Sequence, residues 1–195
     1  TRVWLNSDSE IRYPVAFGKD RRTVFLSGEA YFEVEKDAER PFYVVLDGME
    51  VKVYGTSFNV NTHYQGKILT TLVEGKVGIR VKSTGAESIL QPNQMAEFNR
   101  EKEEVEVTDV DTYYYTAWRA GEFVFQNETI EEIMDRLCRW YDMEVFYANN
   151  DVRGKRFTGV IARFTNVADV LHLIGETATV QFNLKGDVIT VSDSR

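Results

Sequence analysis

The stretch GEAYFEVEKDAERPFYV, residues 28–44, decides how the first half of the chain folds. At its start, apolar and acidic side chains alternate with a period of two, as in a strand that buries one face. The pattern breaks at a charged turn and restarts after Pro41, which has no amide proton to donate, with Phe42 predicted to point inward. The apolar set is Ala30, Phe32 and Val34, and the acidic set is Glu29, Glu33 and Glu35.

Carboxylates on one face of a strand raise the question of catalysis, because a glycosidase uses a pair of carboxylates. Alternate residues on one strand lie only about 6–7 Å apart and point in the same direction. A catalytic pair normally comes from opposing walls of a cleft. We therefore predict that Glu29, Glu33 and Glu35 form the solvated face of a scaffold strand and that the chain is not an enzyme.

Composition sets the class of protein. The chain has 195 residues, of which 43% are hydrophobic and 13% aromatic, so it can bury one large core or two small ones. Its formal net charge is -8 and it has no stripe of lysine and arginine, which argues against a nucleic-acid partner. No apolar run approaches the roughly 18–20 residues needed to cross a bilayer.

Residues 1–112 are predicted to form one all-β domain. Short segments with period-two alternation follow one another, separated by turn residues. Alternation assigns faces but not strand order, so the domain is expected to be either a sandwich or a twisted solenoid. The segments are VFLSGEAYFEVE (24–35), PFYVVLD (41–47), MEVKVYG (49–55), SFNVNTH (57–63), ILTTLVEGKVGIRV (68–81), SILQPNQMAEFNR (88–100) and VEVTDV (105–110).

The pattern changes after an aromatic linker, residues 113–120. Residues 121–195 are predicted to form a small α+β domain in the order strand, helix, two strands, helix, two strands, with both helices on one sheet. Thr129 and Glu132 predict a capping box at the start of the first helix. Asn166 caps the second helix, which Gly175 is expected to end.

Few residues offer chemistry. His63 and His172 lie in different predicted domains, and neither has a neighbouring ligand at metal-binding spacing. Cys138 falls on the apolar face of a predicted helix, so we interpret it as a buried structural thiol. No nucleophile elbow, phosphate loop or dinucleotide motif is present, and no catalytic residue, metal or cofactor is predicted.

Aromatic residues concentrate in the linker, at Tyr113, Tyr114, Tyr115 and Trp118. Exposed, they could stack on a sugar ring, as in carbohydrate-binding modules. The other interpretation is that they pack between the two domains. Trp118 is accordingly predicted to be structural.

Several long motifs, in order, resemble the FecR family of membrane-bound regulators of sigma factors. The resemblance runs from end to end of the chain. It implies a regulatory function, with no catalysis. The matching stretches are RTVFLSGEAYFEVEKDAERPF (22–42), VKVYGTSFNVNTH (51–63), LTTLVEGKVGIRV (69–81), LQPNQMAEF (90–98) and WRAGEFVFQNETIEEIMDRLCRWYDMEV (118–145).

The tail, residues 121–195, resembles the short secretin and TonB N-terminal module called STN. The resemblance implies a periplasmic region, tethered to the inner membrane, that senses the N-terminal signalling domain of an outer-membrane TonB-dependent transporter. In full-length members it also implies a preceding transmembrane helix and a cytoplasmic segment that meets the sigma factor. Neither of these is present in the 195 residues.

The family motifs carry residues that we predict to be structural. Glycine at a strand boundary permits a tight bend or a close backbone approach. The predicted structural residues are Gly28, Pro41, Phe42, Gly55, Phe58, Gly75 and Trp118.

Exposed strand edges are the natural surfaces for a partner of a small sheet. We therefore hypothesise that Thr158, Gly159, Val160 and Ile161 border the partner surface. The alternative function is a carbohydrate-binding or glycan-sensing β module, which would share the all-β pattern, the acidic charge and the aromatic residues.

Overall fold

The computed structural model describes residues 1–163 and 165–194. The chain divides into two compact units, Thr1–Arg119 and Ala120–Arg195. The first unit is built from strands and the second from strands and helices, so the predicted fold class, mainly β followed by a smaller α+β part, is confirmed. Among the described residues, no helix combines the length and the apolarity that crossing a membrane requires.

Strands make up most of residues 1–119, all of which the structure describes. A short helix, α1 (Tyr113–Thr116), and a 3₁₀ turn (Ala117–Ala120) follow the last of these strands. The strands are β1 (Arg2–Leu5), β2 (Glu10–Arg12), β3 (Arg22–Ser27), β4 (Glu29–Glu33), β5 (Phe42–Val45), β6 (Met49–Val53), β7 (Ser57–Asn61), β8 (Lys67–Glu74), β9 (Val77–Val81), β10 (Glu87–Leu90), β11 (Gln94–Asn99) and β12 (Glu104–Asp109).

These strands form two six-stranded sheets. Sheet A has the order β1-β4-β7-β8-β11-β12, and sheet B has the order β10-β9-β6-β5-β3-β2. Phe32 of sheet A stacks on Phe58 of the same sheet at 5.0 Å between ring centroids and lies 6.1 Å from Phe42 of sheet B. Both sheets contribute to one buried apolar cluster. The first unit is therefore a two-sheet sandwich, one of the two architectures that the sequence left open.

The chain passes from sheet B to sheet A at a single residue, Gly28. This residue has φ +95°, a conformation that favours glycine. Its amide donates to Thr62 Oγ1 at 2.8 Å, and its carbonyl accepts from the Thr62 amide at 3.0 Å. A Cβ at this position would lie 2.6 Å from the Ser9 Cα. The segment 24–35, predicted as one alternating stretch, is therefore two strands in different sheets.

The prediction that Glu29, Glu33 and Glu35 share a solvated face is wrong for Glu29, whose residue is only 8% exposed. Its carboxylate accepts hydrogen bonds from Asn6 Nδ2 at 2.6 Å and from Asn59 Nδ2 at 2.9 Å. The reason is that β4 is an interior strand, with β1 on one side and β7 on the other. Side chains from these neighbours cover a face that an isolated strand would leave in water.

The second unit contains five strands in two sheets within residues 120–163 and 165–194. One sheet pairs β13 with β15, and the other has the order β14-β17-β16. The prediction of a single sheet for this region is wrong, because the two strands between the helices pair with different partners: β15 with β13, and β14 with β17. The elements are β13 (Glu122–Thr129), α2 (Ile130–Tyr141), β14 (Glu144–Tyr147), a 3₁₀ turn (Asp151–Gly154), β15 (Arg156–Ala162), α3 (Val167–Ala178), β16 (Val180–Lys185) and β17 (Val188–Asp193).

Helix caps in the second unit follow the sequence signals at both N-termini. Thr129 and Glu132 form the predicted capping box of α2. Asn166 accepts a hydrogen bond from the Ala168 amide at the start of α3. The predicted stop at Gly175 is wrong, because α3 continues to Ala178 and ends at Thr179, whose φ is 54°.

Glycine serves a different purpose at position 175. A Cβ there would lie 3.2 Å from the carbonyl oxygen of Val180, so the bare backbone leaves room for the chain as it turns back along the helix. Apolar residues from both helices and both sheets then form one buried cluster.

Replacing Gly28 with Ala should destabilise the first unit by about 2–4 kcal/mol. The new Cβ meets Ser9 and occupies a left-handed backbone conformation, which itself costs roughly 1–2 kcal/mol. Gly66→Ala is the matched control, since Gly66 has φ +71° but open space around it, and it should lose only about 1 kcal/mol. Urea unfolding of both variants measures the difference, and equal losses would contradict the packing argument.

Replacing Glu29 with Gln should destabilise the fold by about 1–3 kcal/mol. The new side-chain NH2 group would face the NH2 group of Asn6 or Asn59, and both groups are donors. Neither asparagine can turn over to compensate. Asn59 Oδ1 accepts from Trp118 Nε1, and Asn6 Oδ1 accepts from the Ser7 amide. Glu35→Gln, at an exposed carboxylate, should change stability by less than about 0.5 kcal/mol. The midpoint of chemical unfolding distinguishes the two variants.

Cys138 should react slowly with iodoacetamide in the folded chain. Burial raises the pKa of its thiol from 9.0 to about 11, and the nearby Asp135 carboxylate adds to this effect. Because the thiolate is the nucleophile, two pKa units lower the reactive fraction about 100-fold at pH 8. Labelling followed by mass spectrometry, with and without urea, should show the rate rise on unfolding. Equal labelling rates with and without urea would mean that the folded chain neither shields the Cys138 thiol nor raises its pKa.

Candidate interaction surfaces

The predicted partner residues lie on β15 of the second unit and face in two directions. Thr158 and Val160 point outward, and the Val160 residue is 56% exposed. Ile161 is only 5% exposed because its side chain packs in the core. The structure therefore brings Thr158 and Val160 together on a surface but places the Ile161 side chain away from it.

One edge of β15 is unpaired among the strands that the structure describes. On the other edge, Ile161 pairs with Phe123 of β13, and the Arg163 amide donates to the Gly121 carbonyl. In an antiparallel ladder, bonded and non-bonded residues alternate. The amide and carbonyl of Val160 consequently point away from β13, toward the open edge.

A bulge fixes the start of this two-stranded sheet. The register shifts between Phe125 and Glu128, and the Asn127 amide donates to Thr158 Oγ1 at 2.9 Å. Arg136 binds both carboxylate oxygens of Glu128, at 2.9 and 2.7 Å. Burial raises the pKa of Glu128, and the adjacent Arg136 guanidinium opposes the rise. Thr158 is thus engaged in the fold as well as exposed.

Gly159 has a packing role in this strand. The ring of Phe157 lies over it, and a Cβ at Gly159 would approach that ring to 2.6 Å. The missing side chain lets Phe157 fold back over the strand and reach Phe125, with 5.8 Å between ring centroids.

A second open edge, which sequence reasoning missed, belongs to β16. Among the described strands it pairs only with β17. Beside it, α3 borders a groove of about 660 Å³ whose walls include Leu171, His172, Phe182 and Leu184. The hairpin 180–192 was visible in the sequence, but alternation alone does not tell which edge of a hairpin stays open.

The predicted structural residues of the first unit lie in its core or at strand connections. Phe42 and Phe58 are buried, and the Pro41 carbonyl accepts from the Arg22 amide. A Cβ on Gly55 would lie 2.8 Å from the Cα of Lys36, and a Cβ on Gly75 would lie 2.9 Å from the carbonyl oxygen of Gly55.

An aromatic and charged cluster on the outer side of sheet A also escaped the sequence analysis. The Arg119 guanidinium lies 3.7 Å from the centroid of the Tyr31 ring and 5.1 Å from that of Trp4. Its Nη1 also donates to Glu33 Oε1 at 3.0 Å. Burial raises the pKa of Tyr31, while Arg119 opposes the rise. These residues are up to 115 positions apart, so no local pattern could reveal the cluster.

The predicted aromatic linker contributes to the same region. Trp118 Nε1 donates to Asn59 Oδ1 at 3.2 Å, so this indole is bound within the first unit. Tyr113 is 43% exposed, and its ring lies 6.1 Å from that of Tyr114.

Side chains suited to metal binding do not converge in the part of the chain that the structure describes. No set of three or more His, Cys, Asp and Glu side chains there could hold a metal ion. His172 lies 3.3 Å from Glu176 on an exposed face of α3.

Two family models match the chain over most of its length. The model described as FecR protein matches residues 1–78, and the model described as FecR, C-terminal, matches residues 122–191. A comparison with curated proteins finds no match.

Solved structures agree with the family models. Two crystal structures, at 1.65 and 2.50 Å resolution, are of a candidate anti-sigma factor from Parabacteroides distasonis ATCC 8503. Each is 28% identical to this chain and has a TM-score of 0.86, covering 99% of this chain and 90% of the other. Taken together with the two family models, these similarities show that the chain belongs to the FecR family of anti-sigma factors.

Proposed function

We propose that this chain is the signal-receiving region of a membrane-anchored anti-sigma factor. It lies in the periplasm, tethered to the inner membrane by a segment outside the 195 residues. It binds the N-terminal signalling domain of an outer-membrane TonB-dependent transporter, and a cytoplasmic segment regulates the sigma factor. Residues 121–195 act as the STN-like module in this proposal.

The open edge of β15 is the observation that carries the partner assignment. Val160 offers a backbone amide and carbonyl that have no ladder partner on that side among the described strands, and its apolar side chain is exposed. A partner strand can satisfy both groups at once by β-augmentation. The neighbouring bulge and the Arg136–Glu128 pair hold the strand in place before the partner arrives.

Signalling without catalysis requires two states with different affinities for the partner. Suppose that the signalling domain binds one state of the second unit more tightly than the other. Its binding then shifts the equilibrium between the two states toward the tighter-binding state, by the ratio of the two affinities. No reacting group is needed, which agrees with the regulatory character of the family.

Replacing Val160 with Lys should weaken the binding of the transporter signalling domain at least tenfold. The charge occupies the surface that a partner strand would cover, and edge lysines oppose strand addition. Because Val160 is exposed, the free energy of unfolding should change by less than about 0.5 kcal/mol. Calorimetric titration with the signalling domain of the transporter encoded nearest to this chain measures the effect.

Val15→Lys provides the matched control, since Val15 is a fully exposed valine of the first unit, and its affinity should equal that of the parent. Unchanged affinity in the Val160 variant would remove β15 from the interface, and Leu184→Lys would then test the β16 edge. Absence of any saturable binding to the parent chain would contradict the proposed partner itself.

A further inference from the structure

The outer face of sheet B contains a cleft of about 330 Å³ that is lined by residues of the first unit. Such a volume lies at the small end of the range for small-molecule sites, roughly 300–1,000 Å³. Its walls combine aromatic, cationic and acidic side chains. The lining includes Tyr43, Glu50, Lys52, Tyr54, Lys76 and Gly78.

A missing side chain creates the cleft. Tyr43, Lys52, Gly78 and Ile89 are successive partners across four neighbouring strands, so their side chains form one row on this face. Gly78 leaves a gap in the row between Lys52 and Ile89. Its backbone is not in the left-handed region, and a Cβ there would meet only the Lys52 carbonyl oxygen, at 3.7 Å. The gap is therefore space that a side chain could fill.

The gap has a cationic side. The Lys52 ammonium lies 5.7 Å from the centroid of the Tyr43 ring and 5.3 Å from that of Tyr54. Lys76 lines the same cleft. In the part of the chain that the structure describes, neither ammonium forms an ion pair with a carboxylate. The chain as a whole has a net charge of -8, but two ammonium groups line this cleft. Locally they favour a negatively charged group.

Two tyrosines lie beside the Lys52 ammonium. The proximity of Tyr54 and Tyr43 raises the pKa of Lys52. Each phenol hydroxyl carries one proton that it can donate to an anionic acceptor. The ammonium and two hydroxyls can thus bind a single carboxylate or sulfate group.

The opposite side of the cleft is acidic. In the next row across the sheet, Arg80 stands between Glu50 and Glu87 as their partner on either side. Arg80 Nη1 lies 3.8 Å from Glu50 Oε1, so one cation faces two carboxylates. These carboxylates can accept hydrogen bonds from hydroxyl groups. The ring of Tyr54, a residue 46% exposed, offers an apolar surface on the Lys52 side of the cleft.

We propose that this cleft binds an acidic saccharide, with its anionic group at Lys52 and Lys76 and its ring hydroxyls at Glu50 and Glu87. A polyhydroxylated ring with one negative charge matches cations and aromatic rings at one side of the cleft and carboxylates at the other. The site gives the first unit a ligand of its own, independent of any partner of the second unit.

The test is calorimetric titration of the 195-residue chain with digalacturonate, a disaccharide that carries carboxylates. We expect saturable binding, weakened at least tenfold by Lys52→Met, because the substitution removes the charged donor that would bind the carboxylate. Gly78→Val should abolish binding by filling the gap while keeping the strand, because valine favours strands. Lys102→Met, at an exposed lysine outside the cleft, should bind as the parent does.

Three further ligands separate the explanations. A sulfated disaccharide should also bind, because the donors recognise either oxyanion, whereas neutral lactose should bind at least tenfold more weakly. If sodium sulfate binds as tightly as digalacturonate, the cleft holds only an adventitious anion and the saccharide assignment is wrong. The proposal would be overturned if digalacturonate showed no saturable binding to the parent chain. It would also be overturned if the Lys52→Met and Gly78→Val variants bound digalacturonate with the affinity of the parent. Circular dichroism confirms that each variant is folded.

Discussion

The backbone at Gly28 is the constraint on which the sandwich depends. Its positive φ turns the chain out of sheet B and into sheet A within one residue, and Thr62 binds both its amide and its carbonyl. The Ser9 hydroxyl then accepts from the Glu29 amide at 2.8 Å, which joins the turn to the N-terminal segment. The two sheets are therefore joined directly at Gly28, and Phe32 and Phe42 meet across the core.

A buried polar chain extends from this turn across sheet A. The Glu29 carboxylate binds two asparagine amides, and one of them, Asn59, accepts in turn from the Trp118 indole. Each member is satisfied by another member, which is the condition under which a buried polar network stabilises a fold. The network connects residues near both ends of the first unit, so the segment that holds Trp118 is fastened to the sheet by it.

The surfaces left free by this architecture differ in chemistry. Among the described strands of the second unit, β15 and β16 each have an unpaired edge, suited to the backbone of another strand. In the first unit, the outer face of sheet B has a small cleft with aromatic and cationic walls, suited to a small anionic ligand. A regulator that responds through changes in population needs differential binding, and each surface supplies a separate place where it can arise.

Local patterns in the sequence determined the strand-rich first half, the smaller α+β half and the caps of α2 and α3 at Thr129 and Asn166, since these features depend on neighbouring residues. The tertiary structure alone decided that Glu29 is buried, that α3 passes through Gly175, and that Lys52 and Gly78 share a cleft. Alternation tells which side chains share a face of a strand. Which strand lies beside it, and what then covers that face, depends on pairing between residues far apart in the chain.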